Sequence, residues 1–178
     1  MGPSRRIPKR RKKRKIQRGK RRSKKRIQHV SPTITFLGTN GASVLNKRES
    51  LERNINLFKP SVFFIQESKA RMKNKMKLSD YTIFEYVRKN SLGGGLMTVV
   101  HNNLNPVSVC NEDEEEVLVV EVKVAEDKLW LINGYGPQEG SENDGDEDKR
   151  NSFFSRLDFE IKRAKMSGAM VCLEMDAK

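Results

Sequence analysis

Asn40, Glu67 and Asp176 are an amide and two carboxylates, hard oxygen donors of the kind that suit Mg2+ or Mn2+. Each closes a hydrophobic run with strand character. Thr39-Asn40-Gly41 follows Ile34 to Leu37, Gln66-Glu67 follows Val62 to Ile65, and Met175-Asp176 follows Val171 to Leu173. A fourth polar signature, Asn133-Gly134-Tyr135-Gly136-Pro137, follows Leu129 to Ile132 and adds the Tyr135 hydroxyl. A divalent ion neutralises charge on phosphoryl oxygens and on a leaving alkoxide, while a tyrosine hydroxyl can donate to a nonbridging oxygen. The chemistry such a set could perform is phosphodiester cleavage. Taken singly, each residue has a plainer reading: a solvated strand end for Gln66-Glu67, a turn for Asn40-Gly41, a packed ring in a structural turn for Tyr135 and a cap for Asp176.

The four signatures gather only if the runs before them are strands of α/β structure, whose polar ends collect along one edge. Thr33 to Leu37 is expected as a buried first strand closed by Gly38. Leu51, Ile55 and Phe58 recur at helical spacing between Arg48 and Lys59, with Pro60 as a stop, so an amphipathic helix is expected there. Val62 to Ile65 is short and wholly apolar, as in a strand buried on both faces. From Tyr81 to Val87 the residues alternate; a turn over Lys89 to Gly95 then leads to Leu96 to Val100, which predicts an antiparallel pair. A second pair is expected from Val117 to Val124 and Lys128 to Ile132, joined through Ala125-Glu126-Asp127. The acidic stretch Gln138 to Asp148 is expected as a loop. Phe153, Leu157, Ile161 and Ala164 mark a helix feeding the last strand, where Val171, Leu173 and Met175 face one way and Cys172, Glu174 and Asp176 the other.

The chain is 178 residues with 35% hydrophobic and 33% charged content, enough for one globular domain. Its charge is segregated. Residues 1 to 28 hold 16 of the 36 Lys and Arg and no acid, leaving 20 basic against 23 acidic residues in the remainder. With only Ile7, Ile16 and Ile27 as sizeable apolar residues, this arm cannot bury enough surface to offset the entropy of ordering, and disorder is expected up to about Val30. Arg10, Arg11, Lys12, Lys13, Arg14, Lys15, Arg21, Arg22, Lys24, Lys25 and Arg26 are the expected contacts to nucleic-acid phosphates through counterion release. A nuclear or nucleolar address is expected on the same ground. A mitochondrial transit peptide would need an amphipathic apolar face that three scattered isoleucines do not provide. The sequence contains no apolar run of membrane-spanning length and no secretory h-region. Cys110 and Cys172 are too few for a disulfide framework, and Cys172 is expected in or near the core.

The succession of motifs resembles the endonuclease/exonuclease/phosphatase superfamily, closest to the apurinic-endonuclease-like domains of non-LTR retrotransposons. The resemblance covers Ile34 to Lys178. It rests on Asn40-Gly41, Gln66-Glu67, Gly94-Gly95 with Leu96 to Val100, Asn133-Gly134-Tyr135-Gly136-Pro137, and Phe153-Phe154 leading to Asp176. It implies an α/β fold of two mixed β-sheets packed face to face with flanking helices, and metal-dependent cleavage of nucleic acid. It further implies Mg2+ or Mn2+ at Glu67 with Asn40 beside it, Tyr135 near the phosphate, and Asp176 positioning or activating the attacking water. Two departures lower the expected activity. Lys178 stands where the resemblance calls for Asn, and an ammonium there would be repelled by a nearby metal. The pattern's late Asp and final Asp-His pair have no counterpart before Lys178, so a domain spanning residues 31 to 178 is expected to be incomplete at its C-terminal side and weakly active or inactive. Neither His29, beside the arm, nor His101, at the end of a strand, is placed to replace that histidine. The alternative is a non-catalytic protein that binds nucleic acid through the arm.

Overall fold

Phe36–Asn40 (β1) lies parallel to Val62–Gln66 (β2), with Phe36 beside Val62 and Asn40 beside Gln66. The helix Arg48–Phe58 (α1) makes the crossover between them. Beyond β2 come Tyr81–Tyr86 (β3) and Leu96–His101 (β4); β4 runs antiparallel to both β2 and β3, giving a four-stranded sheet in the order β1-β2-β4-β3. The second sheet has the order β5-β6-β7-β8, built from Val107–Ser108 (β5), Val117–Val124 (β6), Asp127–Tyr135 (β7) and Met170–Asp176 (β8). Its first two pairings are antiparallel, while β8, reached through the helix Gly145–Met166 (α2), lies parallel to β7. Both sheets are therefore mixed. The computed structural model describes residues 33–44, 47–69, 78–88, 94–109, 116–137 and 145–176, all within the unit Ser31–Lys178. The basic arm, residues 89–93 of the expected turn, Cys110, loop residues 138–144 and Lys178 lie outside the described residues.

Three apolar clusters show why the layers stack. Val62, Phe64 and Val100 of the first sheet meet Val120, Val122, Leu129 and Leu131 of the second, forming the layer between the sheets. The alternate residues Phe63, Ile65, Met97 and Val99 point outward, where Leu51 and Ile55 of α1 cover them. Val117, Val119, Trp130 and Ile132 face outward from the second sheet against Phe153, Leu157 and Ala164 of α2. Both faces of β2 are thus occupied, which is why all five of its residues are buried. Each such Val, Leu, Ile or Phe contributes about 1.5–3 kcal/mol. The result is the expected α/β architecture, two mixed sheets face to face with helices outside.

The boundaries depart from the local pattern in four places. β1, expected as a buried strand from Thr33, begins at Phe36, alternates between exposed and half-buried residues, and does not stop at Gly38 but continues to Asn40. A Cβ at Gly38 would stand 2.5 Å from Glu174 Oε1, so this glycine leaves room for the Glu174 side chain and does not end the strand. β7 runs to Tyr135, taking Asn133 and Gly134 into the ladder opposite Glu174 and Met175. The loop expected to extend to Asp148 is already helical from Gly145, where Glu147 and Asp148 favour the positive end of the helix dipole. Phe58, expected on the apolar stripe, is the last residue of α1 and is 60% exposed; the helix closes just after it at Lys59, with φ 44°. In β8 the expected alternation is present, with Val171 packed toward α2 and Cys172 toward the layer between the sheets.

Candidate functional site

The register places Asn40 beside Gln66 at the end of one sheet and Tyr135 beside Asp176 at the end of the other. Because the sheets pack face to face, these ends meet. Asn40 Nδ2 donates to Asp176 Oδ2 at 2.9 Å and to Glu67 Oε1 at 3.1 Å, so one amide group bridges carboxylates from both sheets. The Tyr135 hydroxyl donates to Glu67 Oε1 at 2.7 Å. All four residues named from the sequence are thereby brought together, half-buried except for the more exposed Asn40. Asn40 Oδ1 accepts the Ala42 N–H at 3.1 Å, which turns the amide nitrogen toward the carboxylates. The sequence reading put Asn40 beside Glu67 as a ligand; as oriented, it offers the site a donor instead.

Glu67 follows the last residue of β2 and has φ 49°, left-handed for a residue with a side chain. That conformation costs about 1–2 kcal/mol, and the backbone around it is held on both sides. On one side Gly41 N donates to Gln66 O at 2.7 Å, Ser43 N to Glu67 O at 3.1 Å and Val44 N to Ser68 O at 2.8 Å. On the other, Ser68 N donates to Gly95 O at 3.0 Å and Lys69 N to Gly94 O at 2.9 Å. Gly136 N donates to Asp176 O at 2.9 Å and ties the end of β8 to the turn after Tyr135.

Beneath the site lies a buried amide pair. Gln66 Nε2 donates to Asn133 Oδ1 at 3.0 Å, and Asn133 Nδ2 donates to Met97 O at 3.1 Å and Thr98 Oγ1 at 3.3 Å. Gln66 is 2% exposed, Asn133 and Thr98 are fully buried, and the three join β2, β4 and β7 directly under Glu67 and Tyr135. The sequence marked Gln66 and Asn133 as members of the motifs without assigning them this contact. It gave no sign of Glu116, a buried residue whose Oε2 accepts the Gly95 N–H at 3.2 Å and whose Oε1 pairs with the Arg88 guanidinium. Burial pushes the Glu116 carboxyl above its ordinary value; Arg88 and the Gly95 N–H pull it down, and the Glu67 charge pushes it up.

The oxygen donors fit a hard divalent cation. Two carboxylates side by side at a half-exposed edge are what Mg2+ commonly takes from a protein, with waters and substrate phosphates completing the shell. Among the described residues there is no group of three or more His, Cys, Asp and Glu placed to hold a metal ion. His101 ends β4, with its ring edge-on to Tyr81 at 5.0 Å and Nδ1 accepting the Asn103 N–H, as its position in the sequence indicated. His29 lies outside the described residues.

No protein-family model matches the chain, and no curated protein matches it significantly. Solved structures do. The Xenopus laevis APE2 catalytic domain superposes with a TM-score of 0.67 at 16% identity, over 80% of this chain and 58% of that one. The endonuclease domain of TRAS1, a telomere-specific non-LTR retrotransposon, gives 0.58 at 16% identity, over 82% and 60%. The 3′ phosphatase NExo from Neisseria, bound to product DNA hairpin, gives 0.58 at 12% identity, over 81% and 57%. The chain therefore spans less than two thirds of the length of the structures it resembles.

Proposed function

We propose that this chain, which has the fold of the endonuclease/exonuclease/phosphatase superfamily, carries a site for metal-dependent phosphodiester cleavage of nucleic acid. The observation that carries the reading is the Asn40 amide, which holds Glu67 and Asp176 together from opposite sheets. Carboxylates so close repel one another when ionised, and an amide donor between them stabilises the arrangement until a cation enters. Glu67 and Asp176 would hold Mg2+ or Mn2+, which when bound supplies neutralisation of charge on the phosphoryl oxygens and leaving alkoxide. Asn40 keeps the two carboxylates at fixed separation. Tyr135 holds its proton on Glu67 and can turn it to a nonbridging oxygen of the substrate. Asp176, half-buried at the edge, can accept a hydrogen bond from an attacking water and so orient it. The backbone bonds on both sides of Glu67 fix this geometry before substrate arrives.

The choice of nucleic acid, and of DNA in the nucleus, is supported by the basic arm. Phosphate contacts by Arg10 to Lys15 and Arg21 to Arg26 would give duplex binding that falls steeply with salt. That same segregation of charge favours one rival reading, a non-catalytic binder acting through the arm. The decisive experiment nicks supercoiled plasmid with Mg2+ or Mn2+ while titrating each metal calorimetrically. The expected result is metal binding with at most weak metal-dependent nicking, both lost in Glu67→Ala. Deleting residues 1 to 28 should remove the salt-dependent duplex affinity. Metal binding without turnover would overturn catalysis, and duplex binding with neither would leave the arm as the functional element.

A further inference from the structure

Glu67 can present its carboxylate only if its left-handed backbone is held, and one of its two supports depends on a residue outside the motifs. Ser68 N and Lys69 N donate to the carbonyls of Gly95 and Gly94. Those glycines are left-handed themselves, at φ 83° and 66°. Against them lies Glu116, which is 5% exposed and accepts the Gly95 N–H on Oε2. A Cβ on Gly94 would stand 2.5 and 2.8 Å from the two Glu116 oxygens and 2.9 Å from Arg88 Cζ, so the glycine turn is wrapped against the ion pair itself. The Glu116 carbonyl also accepts the Tyr135 N–H at 3.0 Å, which attaches the same residue to the other sheet's part of the site.

We propose that Glu116 is a positioning residue, clamping the Gly94-Gly95 turn so that Glu67 is held in the conformation that presents its carboxylate beside Asp176. Arg88 has a distinct part. It neutralises the buried Glu116 charge, so the clamp adds little net negative charge next to Glu67. A neutral acceptor of the same shape should serve the backbone nearly as well, whereas a shorter or absent acceptor should not. The effect on metal binding rests on the reading of Glu67 as a cation ligand; the effect on the backbone does not.

The test uses the full chain with Glu116→Ala, Glu116→Gln and Glu116→Asp, read by amide hydrogen exchange without metal and by calorimetric titration with Mg2+ alone. In Glu116→Ala and Glu116→Asp, exchange at Ser68, Lys69 and Gly95 is expected to quicken about tenfold or more while Val119 and Ile132 stay protected. Mg2+ affinity is expected to fall by about tenfold, the usual consequence of losing an outer partner of a ligand. Glu116→Gln should restore both. Equal damage from Gln and Ala would overturn the proposal, as would unchanged exchange at Ser68 and Lys69 in either Ala or Asp. If Glu116→Ala does not fold, the contrast between Gln and Asp decides. A wild type that binds no Mg2+ would sink the proposed function and leave the exchange result to judge the clamp alone.

Discussion

Replacing Asn133 with Ala should both loosen the fold and disorganise the site, because this side chain spans the two sheets beneath Glu67 and Tyr135. Its amide takes one hydrogen bond from Gln66, and its nitrogen faces three acceptors, Met97 O, Thr98 Oγ1 and, at 3.5 Å, Ile65 O. Truncation leaves the Gln66 donor with no acceptor in a position only 2% exposed, at a cost of about 1–3 kcal/mol. The missing amide leaves a void of roughly one water volume, about 30 Å3, adding about 0.7 kcal/mol at 24 cal/mol per Å3. The sum is about 2–4 kcal/mol, which for a unit of this size lowers the melting temperature by roughly 10 °C.

The single tryptophan, Trp130, is 5% exposed and sits in β7 three residues before Asn133, so its fluorescence reports the transition directly. Urea titrations of wild type, Asn133→Ala, and the cycle Gln66→Leu, Asn133→Leu and Gln66→Leu/Asn133→Leu complete the measurement. Removing both polar partners for apolar groups should cost less than the two single changes together, with a coupling of about 1 kcal/mol or more. The reasoning fails if Asn133→Ala costs under about 0.5 kcal/mol, within the scatter of ordinary surface changes. It fails equally if the two positions prove additive, since a shared buried bond must couple them.

Gly95→Ala should destabilise by about 2–4 kcal/mol, because the position has φ 83° and a Cβ there would stand 3.1 Å from the Tyr86 carbonyl; urea denaturation showing a smaller loss than Gly168→Ala, where a Cβ meets nothing within 4 Å, would refute it. Burial, and secondarily the Glu174 charge, raises the Cys172 thiol above its ordinary value. In a Cys110→Ser background, Cys172 should therefore alkylate more slowly than free cysteine at mildly alkaline pH, its rate rising only at higher pH. Glu174→Gln should move that rise downward, and a rate profile indifferent to Glu174 would contradict the assignment.

Much of this architecture was legible because local and long-range demands agree. Val62 to Ile65 is apolar on both faces since both faces are covered, by α1 and by the second sheet. Leu51 and Ile55 keep helical spacing because one stripe of α1 meets β2 and β4. Asn40, Glu67, Tyr135 and Asp176 were legible as candidates from their places at strand ends, yet only the sheet registers could reveal that Asn40 touches both carboxylates. Where the reading failed, a distant element overrode the local pattern. Gly38 looks like a terminator until Glu174 approaches it, and Asn133 looks like the start of a turn until Gln66 supplies a buried partner.

Glu116 is the sharpest case. It ends the run Glu112-Asp113-Glu114-Glu115-Glu116, whose composition signals a solvated surface. Nothing local distinguishes the last carboxylate from the others. What buries it is the Gly94-Gly95 turn and the Arg88 guanidinium, both supplied by the other sheet's connections. A side chain that positions another acts through the space between elements, so its signature is a pair of contacts and not a motif. Ligand residues can be sought by type and spacing along a sequence, whereas their supports become visible only once the sheets are packed.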